Sequence, residues 1–281
     1  MQDLPSTPSM SSWILDTQLD WARRTGLEVD AAACVADATE QLLCTLSPDA
    51  LDELGARHRE PLGRDGKAGA LTALDSTHVL LCHLVEPVRS RGVDLLDRAL
   101  GGRGAGDALR LCAGLESGRG PGDGADGSRL ECELAIDGPH PLYVLGRFRE
   151  PYAAPDRERP VDPDADERDW RGLAGCRGLA LDVRANPRRF AHLEVRTVLE
   201  AIRALTARHG RRGFRLVHLW FDGPGREART YARELDRLRL RIGGDAEWDA
   251  LGWRALFERL RADGAYDADY ARSVEARYFS R

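Results

Sequence analysis

Apolar residues recur at intervals of three and four along most of the first hundred positions. Leu15, Leu19 and Ala22, then Val35, Leu42, Leu43 and Leu46, keep helical spacing, with a break near residues 25–30 and a stop at Ser47-Pro48. The same spacing predicts helices over 71–84 and 93–100, separated by Pro87 and closed by Gly101-Gly102. Residues 118–128 (GRGPGDGADGS) hold too much glycine and aspartate for an element interior and read as a linker. Past it the period changes. Leu130, Cys132, Leu134 and Ile136 alternate with Glu131, Glu133, Ala135 and Asp137, and after a turn over 137–141 residues 142–149 are extended again, which predicts a hairpin. A proline-rich acidic loop over 151–169 leads to a helix from Trp170 toward Asp182. Residues 193–208 carry Leu193, Val195, Val198, Leu199, Ile202 and Leu205 on one helical stripe. Residues 214–221 (FRLVHLWF) form an apolar run bounded by glycines, as a buried strand requires. A helix over 227–240, a short strand over 248–251 and helices over 253–260 and 267–279 complete the chain. The expected organisation is a flexible tail (1–12), a helical region (13–117), the linker (118–128) and an α/β domain (129–281).

Composition narrows the chemistry. At 42% hydrophobic and 31% charged, the 281-residue chain has enough apolar side chains for a core, and wholesale disorder is excluded. It has no run of 18 apolar residues and no basic start followed by an apolar segment, so a cytoplasmic protein without a membrane partner is expected. The six cysteines lack a CxxC pair and read as reduced, mostly buried thiols. His78 and Cys82 share a helix face beside His83 but have no companion pair for zinc. The glycine-rich 101–106 follows a helix and lacks GK[ST], and no GxSxG elbow occurs. Among 41 basic side chains only Lys67 is a lysine, so a catalytic lysine elsewhere is excluded. Residues 176–241 contain 16 arginines against 7 acids, a surplus of nine positive charges. This surplus marks either a basic face for phosphates, with Arg188, Arg189, Arg208, Arg211 and Arg212 as candidates, or helices laced by ion pairs such as Arg196, Glu200 and Arg203.

A loop over 137–141 sets Ile136 opposite Leu142, and therefore Glu133 opposite Leu145 and Glu131 opposite Arg147, all on one face. Two carboxylates and a guanidinium there supply part of what a metal-dependent phosphodiesterase needs: oxygen ligands for Mg²⁺ and a cation near the scissile phosphate. The same pattern also fits a cross-strand Glu131–Arg147 ion pair on a wet face, which would contribute only about 0.2–1 kcal/mol.

The segments YVLGRFREPY (143–152), LEVRTVLEAIRALTARHGRRGFRLVHLWFD (193–222) and AEWDALGWRALFERL (246–260) resemble a bacterial family of restriction endonucleases in the PD-(D/E)XK superfamily. That family has a strand bearing E-x-K, then aromatic-x-Glu-Pro, a helix, a buried strand and a Trp/Tyr-containing C-terminal segment. The resemblance covers about 130–281 and implies a restriction-endonuclease-like mixed sheet flanked by helices, with the N-terminal helical region outside it. E-x-K falls on Leu145-Gly146-Arg147, followed by Phe148-Arg149-Glu150-Pro151, and the upstream acid on Glu133. One carboxylate ligand is thus a hydrocarbon, and the lysine is an arginine whose pKa above about 12 suits phosphate binding better than water activation. By resemblance the chain is a catalytically degenerate nuclease-like protein of a bacterial defence or DNA-handling system. Glu133, Arg147 and Glu131 form its remnant site, DNA or RNA is its partner, and it needs no cofactor. The alternatives are an active Mg²⁺-dependent endonuclease with relocated ligands, using Glu131 and Glu133, and a protein-interaction module that keeps only the fold.

Overall fold

The computed structural model describes residues 9–57, 71–115, 130–152 and 170–280, with 113–115 and 130–131 described by backbone alone. The expected linker, most of the acidic loop and Lys67 lie outside the described residues, as does the tail up to residue 8. Residues 10–12, expected as tail, already belong to the first helix.

Helix α1 (Met10–Thr25) is capped by Ser9, whose hydroxyl accepts from the Ser12 amide, and ends at Gly26 in the left-handed conformation that glycine adopts without strain. The stretch from Val35 to Leu46, expected as helical, holds only a 3₁₀ turn (Ala38–Glu40), and Pro48 does not stop a helix but starts α2 (Pro48–Arg57), because the first helical residue has no intrahelical partner for the N–H that proline lacks. Pro87 lies inside α3 (Thr77–Arg89), two residues before its end, and α4 (Val93–Ala99) follows. Residues 108–115, read as part of the helical region, form strand β1 (Ala108–Leu115) instead. Its Leu109 and Leu111 alternate with Arg110, which reaches across to Asp137 with Nε and Nη2 at 2.7 and 2.6 Å.

The remaining elements fall close to their expected places. They are β2 (Leu130–Asp137), β3 (Leu142–Gly146), α5 (Ala174–Ala185), α6 (Val195–His209), β4 (Arg215–Trp220), α7 (Arg226–Ile242), β5 (Glu247–Gly252), α8 (Trp253–Ala262) and α9 (Ala268–Tyr278). Strand β3 stops three residues short of the expected end, and residues 150–152 close into a 3₁₀ turn.

One five-stranded sheet runs β1-β2-β3-β4-β5, antiparallel across the first three strands and parallel across the last three. Ile136 pairs with Leu142, so the hairpin register is the expected one. The parallel pairs follow helical crossovers, α5 and α6 between β3 and β4, and α7 between β4 and β5. Central β3 and β4 are buried on both faces, which is why they read as unbroken apolar runs. Helix α6 covers β1 and β2 on one face, and its stripe from Val195 to Leu205 is buried. On the other face Gly146 meets Thr77 of α3 and Trp253 of α8. The chain is therefore α/β with helices on both sides of a mixed sheet. A continuous apolar cluster joins Ile14, Leu80 and Leu84 to Val144, Leu145, Phe257 and Tyr278, so the helical region shares the core of the sheet.

Candidate functional site

The alternation of β2 sends Glu133 to the face covered by α6, and the end of β3 brings Arg147 beside it. Past Gly146 the chain turns toward β4, with the Arg147 amide donating to the Leu219 carbonyl at 2.8 Å. Arg147 Nη1 donates to Glu133 Oε1 at 2.7 Å and to the Gly146 carbonyl at 2.7 Å. Its Nε and Nη2 donate to Glu194 Oε2 at 3.1 and 3.0 Å. The second oxygen of Glu133 accepts from the Gly146 amide at 2.7 Å. The side chains of Arg147 and Glu133 keep only 15% and 12% of their accessible surface, and Glu194 keeps 36%. Burial pushes the Glu133 carboxyl up, against the opposing pull of the guanidinium and of the Gly146 amide. Burial would lower Arg147, but the carboxylates of Glu133, Glu194 and Glu150 outweigh it and hold the guanidinium charged.

Of the expected remnant site, Glu133 and Arg147 meet. Glu131 is described by backbone alone, its Cα beside Gly114 of β1, and β3 has already ended where the expected Glu131–Arg147 pairing would form. Leu145 is 0% exposed and sits beside His218 in the β3–β4 ladder. Glu150 accepts from Thr77 Oγ1 at 2.6 Å and from the Phe148 amide at 2.7 Å. Opposite Glu133 the β1–β2 ladder skips Cys112, which has a positive φ of 51°.

The donor set does not fit Mg²⁺. Each Glu133 oxygen already holds a hydrogen bond, Leu145 offers none, and a guanidinium at 2.7 Å repels a dication from the carboxylate it neutralises. Among the described residues no group of three or more His, Cys, Asp or Glu side chains is placed to hold a metal ion. His83 is a core histidine, bonded through Nδ1 to Tyr278 Oη at 2.9 Å and through Nε2 to the Leu43 amide at 3.0 Å.

Sequence reasoning missed Glu194, His218 and Tyr231. Glu194 lies inside the LEVRT segment, yet it reaches Arg147 only because α6 starts beside the end of β3. His218 interrupts an apolar strand, which was a visible signal, and its Nε2 meets Tyr231 Oη of α7 at 2.6 Å. Burial, reinforced by Arg147, lowers the His218 pKa to about 3. The ring is neutral when folded and charges below about 6.5 when unfolded, so stability is complete above pH 6.5 and declines as the pH falls toward 3. Urea unfolding should show wild type losing about 1.4 kcal/mol more per pH unit than His218→Phe between about pH 6 and 4. Parallel profiles would show that His218 protonates as readily in the folded protein.

Four of the five candidate phosphate contacts fall beside α7, and the fifth, Arg208, lies toward β2. Arg189 pairs with Asp182 at 3.1 Å, and its carbonyl accepts from Arg237 Nη1 at 3.2 Å. Arg188 is exposed next to it. Arg211 and Arg212 close on the carbonyls of Gly244 and Gly243, just past the C-terminus of α7. Arg208 is exposed at the end of α6, where its charge helps to lower the Asp137 carboxyl, mainly held down by Arg110. Lacing by acids also occurs, as in Arg196–Glu200 at 2.8 Å and Arg241–Asp182 at 2.7 Å. Among the described residues no helix is long and apolar enough to cross a membrane. No family model matches this chain, and neither does any curated protein or solved structure.

Proposed function

We propose that this chain is a nucleic-acid-binding protein on a restriction-endonuclease-like scaffold, in which the place of the catalytic metal is taken by a structural ion triad. The observation that carries this reading is the closed arrangement of Glu133, Arg147 and Glu194, in which the guanidinium that replaces the motif lysine occupies the carboxylate a metal would need. Support for the scaffold comes from the order of elements, with a hairpin ending in the degenerate motif, then a helix, a buried parallel strand and a tryptophan-bearing C-terminal segment. Support for nucleic acid comes from the nine-charge surplus of residues 176–241 and from the exposure of Arg188, Arg208, Arg211 and Arg212. The role remains that of a defence or DNA-handling protein that binds without cutting.

Mobility-shift and plasmid-cleavage assays on the same DNA, with and without Mg²⁺, test the reading. The expected result is salt-sensitive association with no Mg²⁺-dependent cleavage. Cleavage that Glu133→Gln abolishes would establish the active endonuclease instead. No association with duplex or single-stranded DNA or RNA at about 50 mM salt would leave the protein-interaction module.

A further inference from the structure

Helix α7 carries a regular row of cations that the hairpin motif does not explain. Arg229, Arg233, Arg237 and Arg241 are spaced four apart, and all four are exposed. The opposite face, with Ala228, Tyr231, Leu235, Leu238 and Ile242, is buried against the domain. At 1.5 Å per residue, successive members of the row stand about 6 Å apart along the axis, and the row spans about 18 Å with a slow drift around the helix.

The row is poorly neutralised. Arg241 pairs with Asp182, a carboxylate it shares with Arg189. Arg229, Arg233 and Arg237 have no carboxylate partner among the described residues. Arg233 is braced on its own helix, with Nε donating to the Arg229 carbonyl at 3.3 Å and Nη2 to Thr230 Oγ1 at 3.2 Å. Arg237 is braced by the Arg189 carbonyl and lies over the Phe190 ring at 5.8 Å. The helix's acids are mostly engaged elsewhere. Glu227 accepts from the Met10 amide, and Glu234 takes the amides of Ala191, His192 and Leu193 at 2.6–3.0 Å. Asp236 alone is exposed, three residues and about 60° around the helix from Arg233, whose guanidinium turns instead to the Arg229 carbonyl and Thr230.

This row also joins the cations on either side of it. Arg188 and Arg189 sit beside its middle, through the Arg237 contact, and Arg211 and Arg212 sit beyond its end, at Gly243 and Gly244. Resting on the nucleic-acid reading above, we infer that the outer face of α7 is the docking surface, and that it tracks the sugar-phosphate backbone of a nucleic acid without reading its bases. Evenly spaced guanidiniums with spare N–H donors suit a regular line of phosphates. The aromatic side chain at the row, Phe190, is half-buried and lies beneath the Arg237 guanidinium, and Tyr231 and Trp248 are buried, so the ring at the row is already covered by a cation rather than open to a base. Leu240, 85% exposed, is the large apolar side chain on the outer face, which is less than a helix lying in a membrane surface presents.

The test compares wild type, Arg233→Gln/Arg237→Gln and the control Arg261→Gln, which lies on α8, with duplex DNAs of two unrelated sequences across a salt series. Unchanged melting curves verify that these exposed substitutions leave the fold intact. If both arginines touch phosphate, the slope of log K against log[salt] should flatten by about 1.8, so that the affinity lost between about 50 and 200 mM salt shrinks by about tenfold, equally for both sequences. The control should match wild type. Wild-type binding that the double variant leaves unchanged would overturn this surface while sparing the nucleic-acid reading. A loss confined to one sequence would overturn backbone tracking, and wild-type failure to bind any nucleic acid would remove both. Binding to phosphatidylserine vesicles in preference to DNA, lost in the double variant, would reassign the row to a membrane surface.

Discussion

Arg147→Met should lower the unfolding free energy by about 3–5 kcal/mol, the usual cost of removing one partner from a buried ion pair. The guanidinium serves Glu133, Glu194 and the Gly146 carbonyl at once, so its loss strands the Glu133 carboxylate beside only one amide donor. Glu194, one-third exposed, can turn to water, and Glu133 cannot. The second substitution in Glu133→Gln/Arg147→Met should therefore recover most of the loss, because a neutral amide costs far less to bury than a charge. Arg147→Lys keeps the charge but not the fork that reaches two carboxylates, and should fall between wild type and methionine. Urea unfolding at pH 7.5 of wild type, Glu133→Gln, Arg147→Met and the double variant closes one thermodynamic cycle, with Arg147→Lys measured beside it. A loss below about 1 kcal/mol for Arg147→Met would mean that the triad behaves as a surface ion pair and is not the closed centre described.

The parts of this fold that local pattern encodes were legible. The Ile136–Leu142 register follows from the two-residue period and a five-residue turn, and the buried strand around Val217 from an apolar run between glycines. Strand β1 escaped because it follows four helices and its few alternating positions, Leu109, Arg110 and Leu111, are intelligible only once Asp137 lies across from them. The prolines misled for a related reason. Proline reads as a break at Pro48 and Pro87, but a missing N–H is harmless at the first turn of α2, and α3 carries Pro87 in its last turn. At the candidate site, Glu133 and Arg147 belong to one hairpin and could be paired on paper. Glu194 lies 47 residues from Arg147, and only the return of α6 across the sheet makes it the third member. The arginines were visible as a surplus, whereas their alignment along α7 depends on which face of that helix the core takes.

Restoring the motif carboxylate exposes the cost of the present arrangement. Leu145→Glu would place a carboxylate at a position with no exposed surface, next to neutral His218 and near a guanidinium already outnumbered by Glu133 and Glu194. The expected loss is several kcal/mol at pH 7.5, on the scale of a domain's whole stability, from lost leucine packing and from charge burial together. The two contributions separate by pH. Burial raises the new carboxyl, so the charge penalty is present above its folded pKa and fades as the pH falls toward the unfolded value near 4.3. Leu145→Gln, which loses the same packing without a charge, should show no such relief, and the gap between the two variants should close by about 1.4 kcal/mol per pH unit across that window. Adding Arg147→Lys frees an oxygen of Glu133 beside the new carboxylate. The double variant Leu145→Glu/Arg147→Lys should then gain melting temperature with Mg²⁺, while wild type does not, because an ion that binds only the folded state stabilises it in proportion to its occupancy. A wild-type protein stabilised by Mg²⁺ as strongly as the double variant, with the effect lost in Glu133→Gln, would show that the site already accepts a metal and that Arg147 does not block it.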